Sequence, residues 1–407
     1  MAPASRKELF WWRLKEAKKL YGVAKQRPHT LSVNIDMVRL ARIRNEYTVN
    51  PVAKHPIKEV IDSWNPAETI FIPPVERFVD QREDAAVTRK WIDTKDTFFE
   101  MIEALKNYEE ISVDMEMSIH DHGYFGPYNC LLQISSFDTD YVIDVLALAI
   151  EMYNLRQILQ NGDIVKIFHG STNDLLSLQF EHNIFCYPVI DTQLVYAVVK
   201  DRKSIALDSF VKEYLSVEMS KTAQLADFSM RPLSNGLFNY ARSDSHLLLR
   251  AWQNFKEAIF PHVKNRSQQF MDFVQLSKKN MLAMKVVKCS PDPWDFYCHI
   301  EGDKCELFSQ IFCLRERMAR HFDVKRERVV SNEHLYKVVN KLVSKFWPKN
   351  EFVEWNFLDE LEKYLAAFKM QKSSETKQVS IPPVCPLKCF MKPVESDEEG
   401  PVTSFNP

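Results

Sequence analysis

Glycine is scarce, with 8 in 407 residues. Few turns can therefore depend on positive φ. Neither G-x-G-x-x-G nor G-x-x-x-x-G-K-[ST] occurs, which excludes the usual phosphate-cradling loops of dinucleotide and nucleoside-triphosphate enzymes. No apolar run approaches the roughly 18 residues of a membrane span, so no membrane partner is expected. The opening Met-Ala-Pro-Ala-Ser-Arg-Lys-Glu lacks the apolar core, about 7–15 residues long, of a secretory leader. The eight cysteines, at 130, 186, 289, 298, 305, 313, 385 and 389, lack the dense spacing of a small disulfide scaffold. Cys385 and Cys389 stand without a partner pair, which argues against structural zinc. These absences together predict a reducing, intracellular, soluble protein. The net charge of −2 neither requires nor excludes a nucleic-acid partner.

What is present suits conventional cores: 45% hydrophobic, 12% aromatic and 27% charged residues, in a length that predicts two or three domains. Residues 6–27 interleave basic side chains with Leu9, Phe10, Trp11, Trp12 and Leu14, the pattern of a basic amphipathic helix. With a second helical stretch from Asp36 to Tyr47, residues 1–47 read as an N-terminal docking segment. Residues 48–90 carry Pro51, Pro56, Pro66, Pro73 and Pro74 and no sustained periodicity. They read as an extended segment packed on the next domain, because Ile61, Trp64, Ile70, Phe71 and Ile72 demand burial.

From 91 to 262 the pattern alternates. Strands are expected at Trp91–Thr94, 110–117, 130–135, 140–144, 163–168 and 189–191, and helices at 95–106, 148–160 and 173–182, with the remainder to about 262 helical. Three strands joined by short turns, then β–α–β–α, predict an α/β domain with a mixed sheet flanked by helices. Residues 263–299 read as a connecting helix and linker with a basic face. Three amphipathic helices within 300–368 predict a small all-α domain. The tail at 369–407 lacks core-forming material and is expected to be disordered.

The chain is organised around Ile111-Ser-Val-Asp-Met-Glu. In a strand Asp114 and Glu116 share one face. Two neighbouring acids repel unless a cation sits between them, and hard oxygen ligands suit Mg²⁺ or Mn²⁺. Alone, such a pair is usually solvated surface. Further on, His169-Gly-Ser-Thr-Asn-Asp174 places an acid in a first helical turn at the carboxyl end of a strand, where open sheets commonly hold sites. Tyr240 and Asp244 stand four apart on one helix face.

In this order, the four acids and the phenol resemble the DEDDy 3′–5′ exonucleases, and specifically the RNase D family. Cys130-Leu-Leu-Gln-Ile-Ser, Tyr141-Val-Ile-Asp, Val165-Lys-Ile-Phe-His-Gly and Val189-Ile-Asp-Thr-Gln are similar to runs of that family. Gln224-Leu-Ala-Asp-Phe-Ser-Met-Arg-Pro-Leu resembles the branch that serves as the RNase D-type subunit of the nuclear RNA exosome.

The resemblance covers about 50–370. It implies a mixed-sheet, RNase H-like exonuclease domain at 91–262 followed by an all-α HRDC domain at 300–368, the latter carried by Cys313-Leu-Arg-Glu-Arg-Met-Ala-Arg and Ser331-Asn-Glu-His-Leu. It implies two divalent cations, Mg²⁺ or Mn²⁺. Asp114, Glu116 and Asp244 would hold the one that activates water, Asp114 and Asp174 the other, and Tyr240 would orient the water. Met115, His169 and Lys221 are the implied substrate contacts, although His169 by itself reads as structural support at a strand end rather than a substrate contact. Asp191 reads as a helix cap, and His246 as packing behind the site.

The implied substrate is single-stranded RNA, entering by its 3′ end and releasing nucleoside 5′-monophosphates. The implied partners are the exosome core and an RNA helicase or N-terminal cofactor protein, in the nucleus and nucleolus. An RNA-binding scaffold with dispensable catalysis and a DNA-directed exonuclease are the alternatives.

Some positions depart from the family pattern. Met117-Ser118 stand where the branch often has a His pair, and the stretch from Asp114 to Cys130 is longer than usual. Phe228 replaces a Trp. Ser177 stands where relatives commonly carry another Trp, and the loss of a base-stacking ring would cost about 1–3 kcal/mol.

Overall fold

In a computed structural model, residues 55–65, 87–118, 123–202, 204–220, 223, 225–263 and 268–284 are described, with scattered residues between 308 and 335. The helices expected before residue 48, Lys221, most of the proline-containing segment, the expected all-α domain beyond 335 and the tail lie outside the described residues. The chain divides into two compact units. One contains the described residues up to 284 together with those among 319–325, and the other contains the rest.

The first unit is built on a six-stranded mixed sheet. Its strands are β1 (Thr88–Ile92), β2 (Glu110–Met117), β3 (Asn129–Ser135), β4 (Thr139–Asp144), β5 (Val165–Phe168) and β6 (Val189–Asp191), in the order β1-β4-β3-β2-β5-β6. The central hairpin pairs are antiparallel, β2 with β3 and β3 with β4, while β1–β4, β2–β5 and β5–β6 are parallel. Five of the six strands stand where the sequence places them, and β1 begins three residues before the expected 91–94 and ends at Ile92, ahead of the Thr94 cap. Nearly every residue of β3, β4 and β5 is buried, as expected for strands covered on both faces.

Helix α1 (Lys58–Ser63) precedes the sheet, and its Ile61 is fully buried. This corrects the expectation of extended chain at 58–63, although Ile61 and Trp64 are buried as their apolarity requires. Helix α2 (Lys95–Leu105) is capped by Thr94, whose side chain accepts from Thr97 N. It buries Phe98, Met101, Ile102 and Leu105, the i, i+3, i+4, i+7 stripe that its sequence dictates. A 3₁₀ turn at Glu151–Leu155 runs into α3 (Arg156–Leu159), so the helix expected at 148–160 is shorter and tighter. Then follow α4 (Thr172–His182), α5 (Thr192–Val199), α6 (Leu207–Leu215), α7 (Asn235–Val263) and α8 (Gln268–Met281). Residues 216–234, expected to be helical, form no helix among the described positions.

Helix α7 lies across the face of β2 that carries its even-numbered residues, and a line of buried polar contacts fixes its rotation. Lys256 Nζ donates to both oxygens of Glu110 (2.9 and 2.8 Å), which also accepts from Gln253 Nε2 at 2.8 Å. Ser112 Oγ donates to the Ser245 carbonyl at 2.6 Å, and the Ser135 and Ser245 hydroxyls meet at 2.8 Å. Arg242 Nη1 donates to Asp140 Oδ2 at 2.6 Å, and His246 Nδ1 lies 2.8 Å from the same oxygen.

Lys256 and Glu110 are at most 1% exposed as side chains, so neither charge has water to fall back on. Substituting Glu110→Gln leaves the ammonium buried beside a neutral amide. It should cost about 3–5 kcal/mol in unfolding free energy by urea titration, the usual penalty for breaking a buried pair. A loss under about 1 kcal/mol would mean that Lys256 finds another partner.

Candidate active site

The strand period puts Asp114 and Glu116 on the face of β2 that meets α7, and α7 presents Asp244 to the same place. One carboxylate oxygen from each of the three lies within 4.8 Å of the others, the one metal-competent group found among the described residues. Asp174, in the first turn of α4, stands outside this triplet, but its charge acts on Glu116, and that of Asp114 acts on it.

Burial drives the protonation of all four upward. Glu116 is pushed to about 9 by desolvation, then by Asp114, Asp244 and Asp174. Asp114 rises to about 7 by burial alone, opposed by a backbone hydrogen bond at Met115. Asp244 rises to about 8 through burial and Asp114, and Asp174 rises well above the usual carboxylate range for the same reasons. Among the described residues, the charges that act on Glu116, Asp174 and Asp244 are those of other carboxylates, not of a lysine or arginine. A partly buried set of acids, offering hard oxygen ligands only, fits Mg²⁺ or Mn²⁺.

Tyr240 sits one turn before Asp244. Burial raises its phenol to about 12, with Asp244, Glu116 and Asp114 adding to the shift. At neutral pH it is therefore a hydrogen-bonding group, not a base. Beside it opens a cavity of about 530 Å³, lined by Ser220, Ser234, Asn239, Tyr240, Ser243 and Leu247 among others.

The expected substrate contacts fare differently. Met115 points to the face of β2 opposite the carboxylates and belongs to the hydrophobic core with Ile111 and Val113, so its side chain faces away from the site. The His169 ring nitrogens lie 2.8 Å from Thr192 Oγ1 and 2.9 Å from the Ile205 carbonyl, so both are taken up by the protein. This is the supporting role, which leaves neither nitrogen for substrate. Lys221 is outside the described residues.

Asp191 caps α5, accepting from Gln193 N and Leu194 N, and also from Gly170 N and from the amide and hydroxyl of Ser171. It thereby ties the end of β6 to the turn that launches Asp174. Ser177 is 3% exposed and lies within hydrogen-bond reach of Asn129 Oδ1 and Glu181 Oε1. That position packs α4 against β3, and the serine hydroxyl is turned to protein partners there. Ser118 closes the far end of the β2–β3 hairpin, its amide donating to the Tyr128 carbonyl and its hydroxyl accepting from Tyr128 N.

Sequence reasoning missed the charges that hold the site's frame: Glu110, Asp140, Asp144, Lys166 and Arg231. Arg231 donates to both Asp144 oxygens, through Nε at 2.6 Å and Nη2 at 2.7 Å. Lys166, fully buried in the middle of β5, donates to the carbonyls of Asn161 (2.7 Å), Ile164 (2.6 Å) and Tyr187. The available signal was a charged residue inside an otherwise apolar strand, which always requires a partner.

Comparison with known proteins agrees with this geometry. The family model described as 3'-5' exonuclease matches residues 89–259. Among curated proteins, the chain is similar to Homo sapiens Exosome complex component 10, 27% identical over 305 residues, or 74% of this chain and 34% of that one. It is similar also to Saccharomyces cerevisiae Exosome complex exonuclease RRP6, 29% identical over 265 residues, 61% of this chain and 35% of that one. The chain thus spans about a third of the length of these relatives. Among solved structures it is similar to the catalytic core of RRP6 from Trypanosoma brucei, with TM-score 0.60 and 22% identity over 78% of this chain and 89% of that one. The fold is therefore the mixed-sheet α/β exonuclease fold, and the resemblance drawn from the motifs holds.

Proposed function

We propose that this chain is a hydrolytic 3′–5′ exoribonuclease whose exonuclease domain, at 91–262, works with two divalent cations. The observation that carries this reading is the convergence of Asp114, Glu116 and Asp244 within 4.8 Å, each partly buried, with Tyr240 one helical turn away. Cations bound there would supply a nucleophilic water at neutral pH and neutralise charge on the leaving 3′ oxygen. Asp114, Glu116 and Asp244 would hold one, and Asp114 with Asp174 the other. Tyr240, protonated throughout the working range, orients the attacking water by a hydrogen bond. The cavity beside Tyr240 has the volume of a small-molecule site and takes the 3′-terminal nucleotide of a single strand.

The similarity to exosome components supports an exosome core as partner; a helicase or N-terminal cofactor protein and a nuclear, including nucleolar, location belong to the same proposal. Residues 300–368 would form an HRDC domain, with 263–299 as its connector. Deleting 1–47 should abolish co-purification with the cofactor partner while sparing activity on short RNA. Co-purification that survives the deletion would remove the docking role.

The substrate is tested with 5′-labelled single-stranded RNA and matched DNA, incubated with Mg²⁺, Mn²⁺ or EDTA. The expected result is a metal-dependent ladder from the 3′ end of the RNA with 5′-monophosphate products, and little loss of DNA. Preferential DNA loss would move the assignment to DNA. Intact RNA under both metals with binding retained would make the chain a scaffold.

A further inference from the structure

We infer that Arg231 is a positioning residue for Tyr240, acting through the ring of Phe228; the inference rests on the exonuclease reading above. Residues 226–231 have no regular secondary structure, so something other than a backbone ladder must hold them. Arg231 does so with its whole guanidinium. Besides the fork onto Asp144, Nη1 donates to the Phe228 carbonyl at 2.7 Å and the Met230 carbonyl at 2.8 Å, and Nη2 to the Cys130 carbonyl at 3.1 Å. The cation also stands 5.6 Å from the Trp91 ring centroid.

Asp144 is itself fixed at the end of β4, where its Oδ1 accepts from Leu146 N and Ala147 N, both at 3.1 Å. The loop is thus fastened to the sheet through one side chain.

What the loop delivers is Phe228. Its ring is 1% exposed and lies 6.2 Å from that of Tyr240, tilted 30°, in a small core with Tyr128, Leu131, Val142 and Ala241. That core is separate from the main one. Tyr240 is only partly buried, and Phe228 is the one aromatic ring recorded against it among the described residues. The route runs from Asp144 through Arg231 to the Phe228 carbonyl, and from the Phe228 ring to the phenol. The carboxylates are placed by different contacts: Ser245 and Ser112 and the Asp140–Arg242 pair fix α7 beside Asp244. Loss of the clamp therefore moves the phenol and leaves the cation ligands in place.

The test uses the full chain, with Arg231→Gln and Phe228→Leu made singly and each combined with Tyr240→Phe. Hydrolysis of saturating RNA is measured as a function of Mg²⁺, and thermal melts check folding. Arg231→Gln should lower kcat by about 10–100-fold, the scale of an ångström-sized misplacement. Phe228→Leu should act in the same direction, and Phe228→Trp, which keeps a ring, should stay within about threefold of the parent. The Mg²⁺ concentration for half-maximal rate should stay within about twofold, because the ligands do not move. Combined with Tyr240→Phe, either variant should lose no more than about twofold beyond Tyr240→Phe alone, since both act through one group.

Losses that multiply with Tyr240→Phe, a shifted Mg²⁺ dependence, or an undiminished kcat would each overturn the inference. If Arg231→Gln fails to fold, the Phe228 series still decides. A parent chain inert on RNA in Mg²⁺ and Mn²⁺ would sink the exonuclease reading itself. An active parent with multiplying losses would sink only the positioning role.

Discussion

Asp244→Asn should abolish metal-dependent RNA shortening, with a loss on the order of 10³-fold, the upper end of what removing one preorganised transition-state stabiliser costs. The side chain keeps its shape, so α7 should stay where its contacts to Glu110, Ser112 and Asp140 hold it. What changes is charge: the triplet with Asp114 and Glu116 loses one of its three anionic ligands. RNA binding should persist, because the cavity is lined by side chains that the substitution leaves untouched. A variant that retains more than about a tenth of the parent rate would mean that Asp244 is not a ligand of the catalytic centre.

The second large effect is on stability, and its sign follows from burial. Asp114, Glu116 and Asp244 are raised to about 7, 9 and 8, chiefly by desolvation, and Asp174 is raised too. A group whose folded pKa lies above its unfolded value of about 4 stabilises the fold fully below pH 4, and that contribution is lost as pH rises through the folded value. In EDTA the melting temperature should therefore fall from about pH 5 to pH 9, at roughly 2–4 °C per kcal/mol for a domain of this size.

Other groups titrate as well. Lys166, pushed down to about 7 by burial, acts in the opposite sense, its contribution growing as pH rises. The informative quantity is thus the difference between traces in saturating Mg²⁺ and in EDTA, from which groups outside the site cancel. That difference should be small at pH 5 and reach several degrees at pH 8. In Asp244→Asn the EDTA trace at pH 8 should lie above the parent's, with a smaller gain from Mg²⁺. Parallel traces across this range would mean that the carboxylates are not jointly buried.

Local pattern carried the sheet and the shared face of Asp114 and Glu116. Ile111-Ser-Val-Asp-Met-Glu specifies a strand and, by its period, which two acids share a face. The Phe98-Met101-Ile102-Leu105 stripe specifies a helix in the same way. The notions of Asp191 as a cap and of His246 behind the site needed only neighbouring residues, and both are seen.

What local pattern could not carry was anything settled by a distant partner. Residues 216–234 have a composition compatible with helix, yet Arg231 is drawn to Asp144, 87 positions earlier, and the chain follows. Arg242 and Lys256 reach partners 102 and 146 positions away. Met115 is a substrate contact that the resemblance implies, whereas the strand period sets its side chain in the core, on the face opposite the carboxylates. Ser177 is buried against Asn129, 48 positions earlier, a partner that no local pattern reveals. Ile61 in helix α1 and Trp64 just after it are buried as their apolarity demands, but the stretch between the prolines is too short for periodicity to reveal the helix.

The most direct test of a two-cation centre made from these four carboxylates is a count of bound Mn²⁺ by electron paramagnetic resonance at pH 8 on the RNA-free protein. The parent should take up two ions per chain, and Asp114→Asn, which removes the ligand shared by both positions, should take up none in the same concentration range. Uptake of two ions by Asp114→Asn, or none by the parent, would contradict the account.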